Sequence, residues 1–340
     1  MLSVPFRPAT TTAPGDLDLT RVDTAELELQ LEQYRRELTG YCYRMLGSGS
    51  EAEDAVQETL LRAWKAMDRF EGRSSLRSWL YKIATNVCLD MLRTPQRRAR
   101  PMELGGPVSA DEPPAATLPE HMWVTPIADD RVIPVHGDPA ELAASRESVR
   151  LAFVAALQHL PARQRAVLIL REVLRWQATE VAELLDSTVA SVNSALQRAR
   201  ATLSECDIDE LDPTGVDPEQ QAMLEQYVDA FERYDVSALV ALLRDDVQFS
   251  MPPHNMWLEG PDEVAKWLNG HGFGCKGSRL VATAANGCAA FGSYRLTRPG
   301  LHEPFALQII EFSGGRISGI HNFLDTALFA QFGLPARLEG

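Results

Sequence analysis

Three sets of side chains in this sequence have types and spacings that do chemistry. The first lies between Ser50 and Arg98. An acidic, glutamine-bearing stretch, E-A-E-D-A-V-Q-E-T-L-L-R-A-W, passes there into a basic, aromatic one, R-S-S-L-R-S-W-L-Y-K-I-A-T-N-V-C-L-D-M-L-R. Arg73, Arg77, Trp79, Tyr81, Lys82, Asn86 and Arg93 interleave cations with rings. That pattern holds a phosphate backbone and stacks on unpaired bases at about 1–3 kcal/mol per base. The second set is Thr188, Ala190, Ser191, Asn193, Ser194, Gln197, Arg198 and Arg200. Its short donors and acceptors suit base edges, and its two arginines, toward the end of the set, suit phosphates. The third is His254, Trp257, Tyr294, His321 and Asp325, where an Asp/His pair could move a proton in a pocket. The plainer reading of those histidines is structural hydrogen bonding.

Charge separates these sets. The 340-residue chain carries a formal net charge of −14, yet residues 62–100 hold ten Lys/Arg against three Asp/Glu. Residues 1–205 sum to −4 and residues 206–340 to −10, so any nucleic-acid footprint belongs to the first part. Just upstream of the basic stretch, Glu53, Asp54, Gln57, Glu58, Leu61 and Lys65 recur at helical spacing away from an apolar stripe. Such a face is either merely solvated or built for a basic protein partner. Five cysteines (42, 88, 206, 275 and 288) show no C-x-x-C spacing. They read as reduced thiols of a cytoplasmic protein, with neither a disulfide framework nor a metal site. No apolar run approaches the ~18 residues of a membrane span, and no cofactor is implied.

The elements that must position these side chains follow from periodicity. Residues 24–47 and 50–69 read as helices broken at G-S-G-S, with Ser50 and Glu53 as a capping box. Val56, Leu60, Ala63 and Met67 form the buried stripe of the second. A helix over 75–93 turns Leu80, Ile83 or Ala84, Val87 and Met91 inward. From Pro101 to Pro139 periodicity collapses into Pro, Ala and acidic residues, predicting a flexible linker that repels DNA, with Trp123 and Ile127 as anchors. Helical patterning returns over 141–203 and ends in a short helix, a turn at Asp186-Ser187 and a helix from Val189 to Leu203, together a helix-turn-helix over 178–198. In that last helix Val189, Val192, Leu196, Ala199 and Leu203 define the packing face. Beyond a boundary at D-P-T-G-V-D-P, helices precede a run of strands, indicating an α+β domain.

At these residues the chain resembles a family. D-A-V-Q-E-T-L-L-R-A-W and F-E-G-R-S-S-L-R-S-W-L-Y-K-I-A-T-N-V-C-L-D-M-L-R are similar to region 2 of bacterial sigma factors. L-P-A-R-Q-R-A-V-L-I-L-R-E-V-L and S-V-N-S-A-L-Q-R-A-R are similar to region 4, and F-x-M-P-P-H-N-x-W-x-x-G fits a SnoaL or NTF2-like tail. The combination resembles extracytoplasmic-function sigma factors with such a tail, the mycobacterial sigma-G type among them. The resemblance implies a multidomain chain: a disordered tail (1–23), all-α region 2 (24–100), a flexible acidic linker (101–140), all-α region 4 (141–205), a second linker (206–218) and a cone-shaped α+β regulatory domain (219–335). It further implies that 53–66 binds the β′ clamp helices of core polymerase, that 73–93 recognises and melts the −10 element, and that the helix-turn-helix reads the −35 element beside the β flap. A small-molecule ligand of the tail and an anti-sigma protein are candidate further partners, and no enzymatic activity is expected. Two other readings stay open: a stand-alone helix-turn-helix regulator, and an isomerase- or cyclase-like enzyme with a DNA-binding leader.

Overall fold

A computed structural model describes residues 29–70, 72, 74–93, 97–206 and 218–339. The predicted tail at 1–23, Arg73 and nearly all of the 206–218 connection lie outside the described residues. Among the described residues a helical turn at 29–32 precedes three longer helices, α1 (Arg35–Leu46), α2 (Gly49–Ala66) and α3 (Leu76–Met91). Gly47 adopts φ +72 and closes α1. The next helix therefore starts two residues earlier than the Ser50/Glu53 capping box predicts. Ser48 becomes the extended cap and accepts the Glu51 N–H at 3.4 Å. Val56, Leu60 and Ala63 are buried as the stripe requires. In α3, Leu80, Ala84 and Val87 are buried, but Met91 is exposed and Tyr81, Thr85 and Cys88 are buried instead. The inward face of α3 is wider than its stripe because it packs on α1, on α2 and on the second helical module.

The expectation of a flexible linker over 101–140 is corrected. The segment is an ordered strap with 3₁₀ turns at Pro101–Glu103 and Glu120–Met122 and a short helix α4 (Asp129–Val132). It lacks periodicity because it makes no core of its own and completes its hydrogen bonds on its neighbours. Ala99 and Trp123 form a parallel bridge, the Thr125 N–H donates to Gly47 O at 3.1 Å, and Thr125 O accepts from the Tyr43 hydroxyl at 2.9 Å. Gly49 permits this approach, since a Cβ there would stand 2.6 Å from Pro126 O. Trp123 and Ile127 are buried, as anchors should be.

The second helical module comprises α5 (Pro139–Glu147), α6 (Leu151–Leu157), α7 (Ala162–Leu168) running into a π-turn at Ile169–Val173, α8 (Ala178–Leu184) and α9 (Val189–Leu203). Asp186, at φ +47, makes the turn between α8 and α9. Val192, Leu196 and Ala199 face inward, whereas Val189 is exposed because it opens the helix beyond the packed surface.

The C-terminal domain begins with α10 (Pro218–Arg233) and α11 (Val236–Val240), and α12 (Pro261–Asn269) follows strand β2. Its strands are β1 (Leu243–Ser250), β2 (Trp257–Glu259), β3 (Arg279–Ala285), β4 (Cys288–Arg298), β5 (Leu301–Ser313), β6 (Arg316–Phe323) and β7 (Leu338–Glu339). They form one sheet in the order β2-β1-β6-β5-β4-β3, with β7 on β5. The β1/β6 pair is parallel and the other pairs are antiparallel. One face closes on α10 and α12 around Tyr227, Phe231, Phe291, Ile310 and Phe312. From the other face Ala290, Leu307, Ile309 and Phe323, with Leu328 of α13 (Leu328–Gln331), join the same continuous core as the two helical modules. Among the described residues no helix is long and apolar enough to cross a membrane.

Candidate protein- and nucleic-acid-binding surfaces

Helix α2 carries the expected acidic face. Asp54, Gln57, Leu61 and Lys65 are exposed, and Glu53 and Glu58 are half-exposed. Leu61 (43% exposed) and Trp64 (47%), three residues apart, add an apolar pair to it. Trp64 belongs to the sequence motif, but its spacing alone does not assign it to the surface. An exposed Leu/Trp pair ringed by acidic and amide groups is the composition of a protein-docking centre.

The basic stretch is only partly a surface. Lys82, Asn86 and Arg93 reach solvent on or just beyond α3, and Trp79 is half-buried with its ring 5.0 Å from Phe70. Tyr81 does not face bases: it is wholly buried, and its hydroxyl donates to Glu37 Oε1 at 2.8 Å. Arg77 also bonds Glu37, at 2.7 Å through Nε. Its guanidinium lies 5.3 Å from the Tyr81 ring centroid and 5.1 Å from that of Trp176 in the second module. Arg98 and Arg100 are buried against Glu51 and Glu103. Much of the local positive excess is therefore spent inside the fold. Spacing alone could not separate these cations from free ones, because their acidic partners lie remote in sequence or across a turn.

The helix-turn-helix presents its whole polar set. Thr188, Ala190, Ser191, Asn193, Ser194, Gln197, Arg198 and Arg200 are all exposed on α9 or at its start. Thr188 caps the helix, accepting the Ser191 N–H at 3.1 Å. Arg200 pairs with Glu172 at 2.7 Å, while Arg198 sits beside the shallow groove that α9 shares with α7.

The two helical modules are clamped face to face. Arg44, buried, donates to Ser148 O at 3.1 Å and to its Oγ at 2.6 Å, and Arg165 donates to Met45 O. Burial pushes both guanidinium groups down to about 10. Trp176 packs on Tyr81 at 5.0 Å, and Lys82 meets Asp186 of the helix-turn-helix at 2.7 Å. The strap reaches α2 as well, where Arg131 lies 3.5 Å from Glu53.

One residue of the C-terminal domain ties these parts together. The β3–β4 hairpin turns on Asn286 (φ +55) and Gly287 (φ +74), a left-handed pair suited to a tight turn. Asn286 is fully buried among the other modules. Its Oδ1 accepts the Ile127 N–H at 3.0 Å, and its Nδ2 donates to the Tyr43 hydroxyl at 2.6 Å and to Val149 O at 2.7 Å. Its own N–H donates to Ile127 O at 3.1 Å. Beside it the Gly287 N–H donates to Asp129 Oδ1 at 2.8 Å. Burial raises the Asp129 carboxyl to about 6, against the opposing Gly287 N–H and Arg146. The Asn-Gly signal for a hairpin stands in the sequence; its partners, over a hundred residues away, do not.

The five residues expected to share a pocket are not brought together. Tyr294 is buried and donates to Pro335 O at 2.7 Å, and the Trp257 indole donates to Gly105 O of the strap at 2.9 Å. His321 lies between Ser250 Oγ (2.9 Å) and Glu311 Oε2 (3.1 Å), all three buried. Burial would raise the Glu311 carboxyl, but His321, Arg100 and Arg150 outweigh it and hold the group below its ordinary value. An acid/base pair thus meets at hydrogen-bonding distance inside the fold rather than at the base of an open pocket. Only His254 and Asp325 line one cavity, between the strap and the C-terminal domain. Among the described residues no cluster of three or more His, Cys, Asp or Glu could hold a metal.

Known proteins match this arrangement piece by piece. Residues 31–98 match the family model for sigma-70 region 2, residues 150–203 that for sigma-70 region 4, and residues 224–320 that for a SnoaL-like domain. The ECF RNA polymerase sigma factor SigG of Mycobacterium tuberculosis is 45% identical over 319 residues, covering 90% of this chain and 83% of that protein. SigJ of the same species is 27% identical over 283 residues, covering 80% and 82%. The SigJ crystal structure covers 91% of this chain and 100% of its own with a TM-score of 0.58 at 21% identity, a likeness of fold. Two helical sigma modules in order, a sheet domain behind them and this depth of identity lead to one conclusion: the chain belongs to the extracytoplasmic-function RNA polymerase sigma factors that carry a SnoaL-like C-terminal domain.

Proposed function

We propose that this sigma factor binds core RNA polymerase through the exposed α2 face and is held in an inactive, closed form by its own strap and C-terminal domain. Glu53, Asp54, Gln57, Glu58, Leu61 and Lys65, with Trp64, meet the β′ clamp helices. Lys82, Asn86 and Arg93 meet the −10 element, and the polar face of α9 meets the −35 element next to the β flap. The site of action is the cytoplasm, where the polymerase works.

The observation that carries the closed reading is a distance. Lys82 of the −10 module touches Asp186 of the −35 module at 2.7 Å. Promoter elements about 25 base pairs apart are separated by roughly 85 Å at 3.4 Å per pair. The two modules must part before both elements can be bound. Arg131 beside Glu53, Trp176 over Tyr81 and Asn286 in the three-way junction all oppose that parting. The Ser250–His321–Glu311 array supports reading the C-terminal domain as regulatory rather than catalytic, because all three side chains are buried and, among the described residues, lie at the base of no open pocket.

The test is run-off transcription with purified core polymerase. Asp54→Lys with Glu58→Lys should abolish core binding and leave the fold intact. A stand-alone helix-turn-helix regulator would be indifferent to both changes and would bind duplex DNA without polymerase.

A further inference from the structure

Between the strap and the C-terminal domain lies a cavity of about 510 Å³, within the range of small-molecule sites. It is distinct from the interior of the sheet domain, which Tyr227, Phe231, Phe291 and their neighbours occupy. Trp123, Phe323 and Leu328 give it buried apolar walls, while Asp325, Glu120 and His254 supply its ionisable groups. His254 Nδ1 must carry the proton, because its partner at 2.6 Å is the carbonyl oxygen of Ala115. Among the described residues no Lys or Arg lines the cavity, so its charged side is set by two carboxylates, Asp325 and Glu120.

The cavity exists only while the strap is docked. Thr117 and His254 form an antiparallel bridge, the Leu118 N–H donates to Pro253 O at 2.9 Å, and the Trp123 indole donates back to Leu118 O at 3.2 Å. Ser50 and Thr125 line it too, which places it against the first turn of the polymerase-facing helix α2. A molecule that fits there contacts the strap, region 2 and the C-terminal domain at once. Binding one state and not the other, it shifts the equilibrium toward that state.

We propose that this cavity is an effector site for an amphipathic organic cation, an apolar body of about two fused rings bearing an ammonium group, whose binding holds the sigma factor closed. The second half of that statement rests on the closed form being inactive; the first half does not.

Titration calorimetry on the full chain with three probes of one shape and different charge tests the site: 1-naphthylmethylamine, 1-naphthalenemethanol and 1-naphthoate. The amine should bind best and the carboxylate worst. Asp325→Asn and Glu120→Gln should each weaken the amine by about fivefold and leave the alcohol unchanged. The amide oxygen introduced by Asp325→Asn can still accept the Ala327 N–H that the carboxylate accepts at 2.9 Å, so the local turn survives. No binding, equal binding of the three probes, or preference for the carboxylate overturns the site. Core-polymerase binding with and without saturating amine tests the coupling: a weaker association supports it. Unchanged association with calorimetric binding intact refutes the regulatory half alone.

Discussion

Replacing Asn286 by glycine should open the molecule without disturbing the hairpin that carries it. Glycine accepts the φ of +55 at that position, so the turn keeps its backbone and loses only the side chain. Three bonds go with it: those to the Ile127 N–H, the Tyr43 hydroxyl and Val149 O. The Tyr43 hydroxyl keeps Thr125 O as its acceptor, but the Ile127 N–H and Val149 O lose the side chain that pairs them. Each buried group left without a partner costs about 1–3 kcal/mol, and the losses share one site and do not add fully, so closing should weaken by about 2–4 kcal/mol, or a factor of roughly 30 to 10³. Hydrogen exchange reads this directly, because the Ile127 and Gly287 amides bond across the junction, to Asn286 Oδ1 and Asp129 Oδ1. Their protection should fall by that factor, amides within β5 should be unaffected, and affinity for core polymerase should rise. Unchanged protection of Ile127 together with unchanged core affinity would refute the junction as the tie between modules.

Closing should also depend on pH through Asp129. Its carboxyl rises to about 6 in the closed form against an ordinary 3.8, so the closed form binds more protons between those values. Closing therefore strengthens as pH falls from 7 toward 4, by up to about 3 kcal/mol, and Asp129→Asn should flatten the profile measured by core binding or proteolysis of the strap. Trp176→Ala removes a buried ring from Tyr81 and Arg77 and should cost about 3–5 kcal/mol of stability in chemical denaturation. Lys82→Ala, by contrast, breaks an exposed pair and should change stability by less than about 1 kcal/mol while weakening promoter binding. Arg198→Ala should lower affinity for −35 duplexes of every sequence and reduce the salt slope by about one unit, as a phosphate contact does.

Much of this architecture was legible in the residues. The stripes Val56/Leu60/Ala63 and Val192/Leu196/Ala199 set the packing faces of α2 and α9, and their opposite faces carry the predicted exposed sets. Local periodicity determines such things because each depends on residues three or four apart. What failed depends on distant partners. Tyr81 and Arg77 sit in a basic aromatic run, yet Glu37 and Trp176, both remote in sequence, turn them inward. The strap has no period of its own and is ordered by Gly47, Tyr43 and Asn286 rather than by itself. His321 and Asp325 lie four residues apart, a spacing that suggests one pocket. The first stands inside β6, buried against Glu311; the second lies beyond the strand end, exposed and capping the next turn.

The most direct measurement is the distance between the two promoter-binding modules in solution. Spin labels at Asn86→Cys and Ser194→Cys, both exposed, would be placed in a chain whose Cys206, Cys275 and Cys288 are replaced by serine. Pulsed electron paramagnetic resonance should give one short distance for the free protein and a distance several nanometres longer on core polymerase. The same long distance in both states would contradict the closed form, and with it the role assigned to the C-terminal domain.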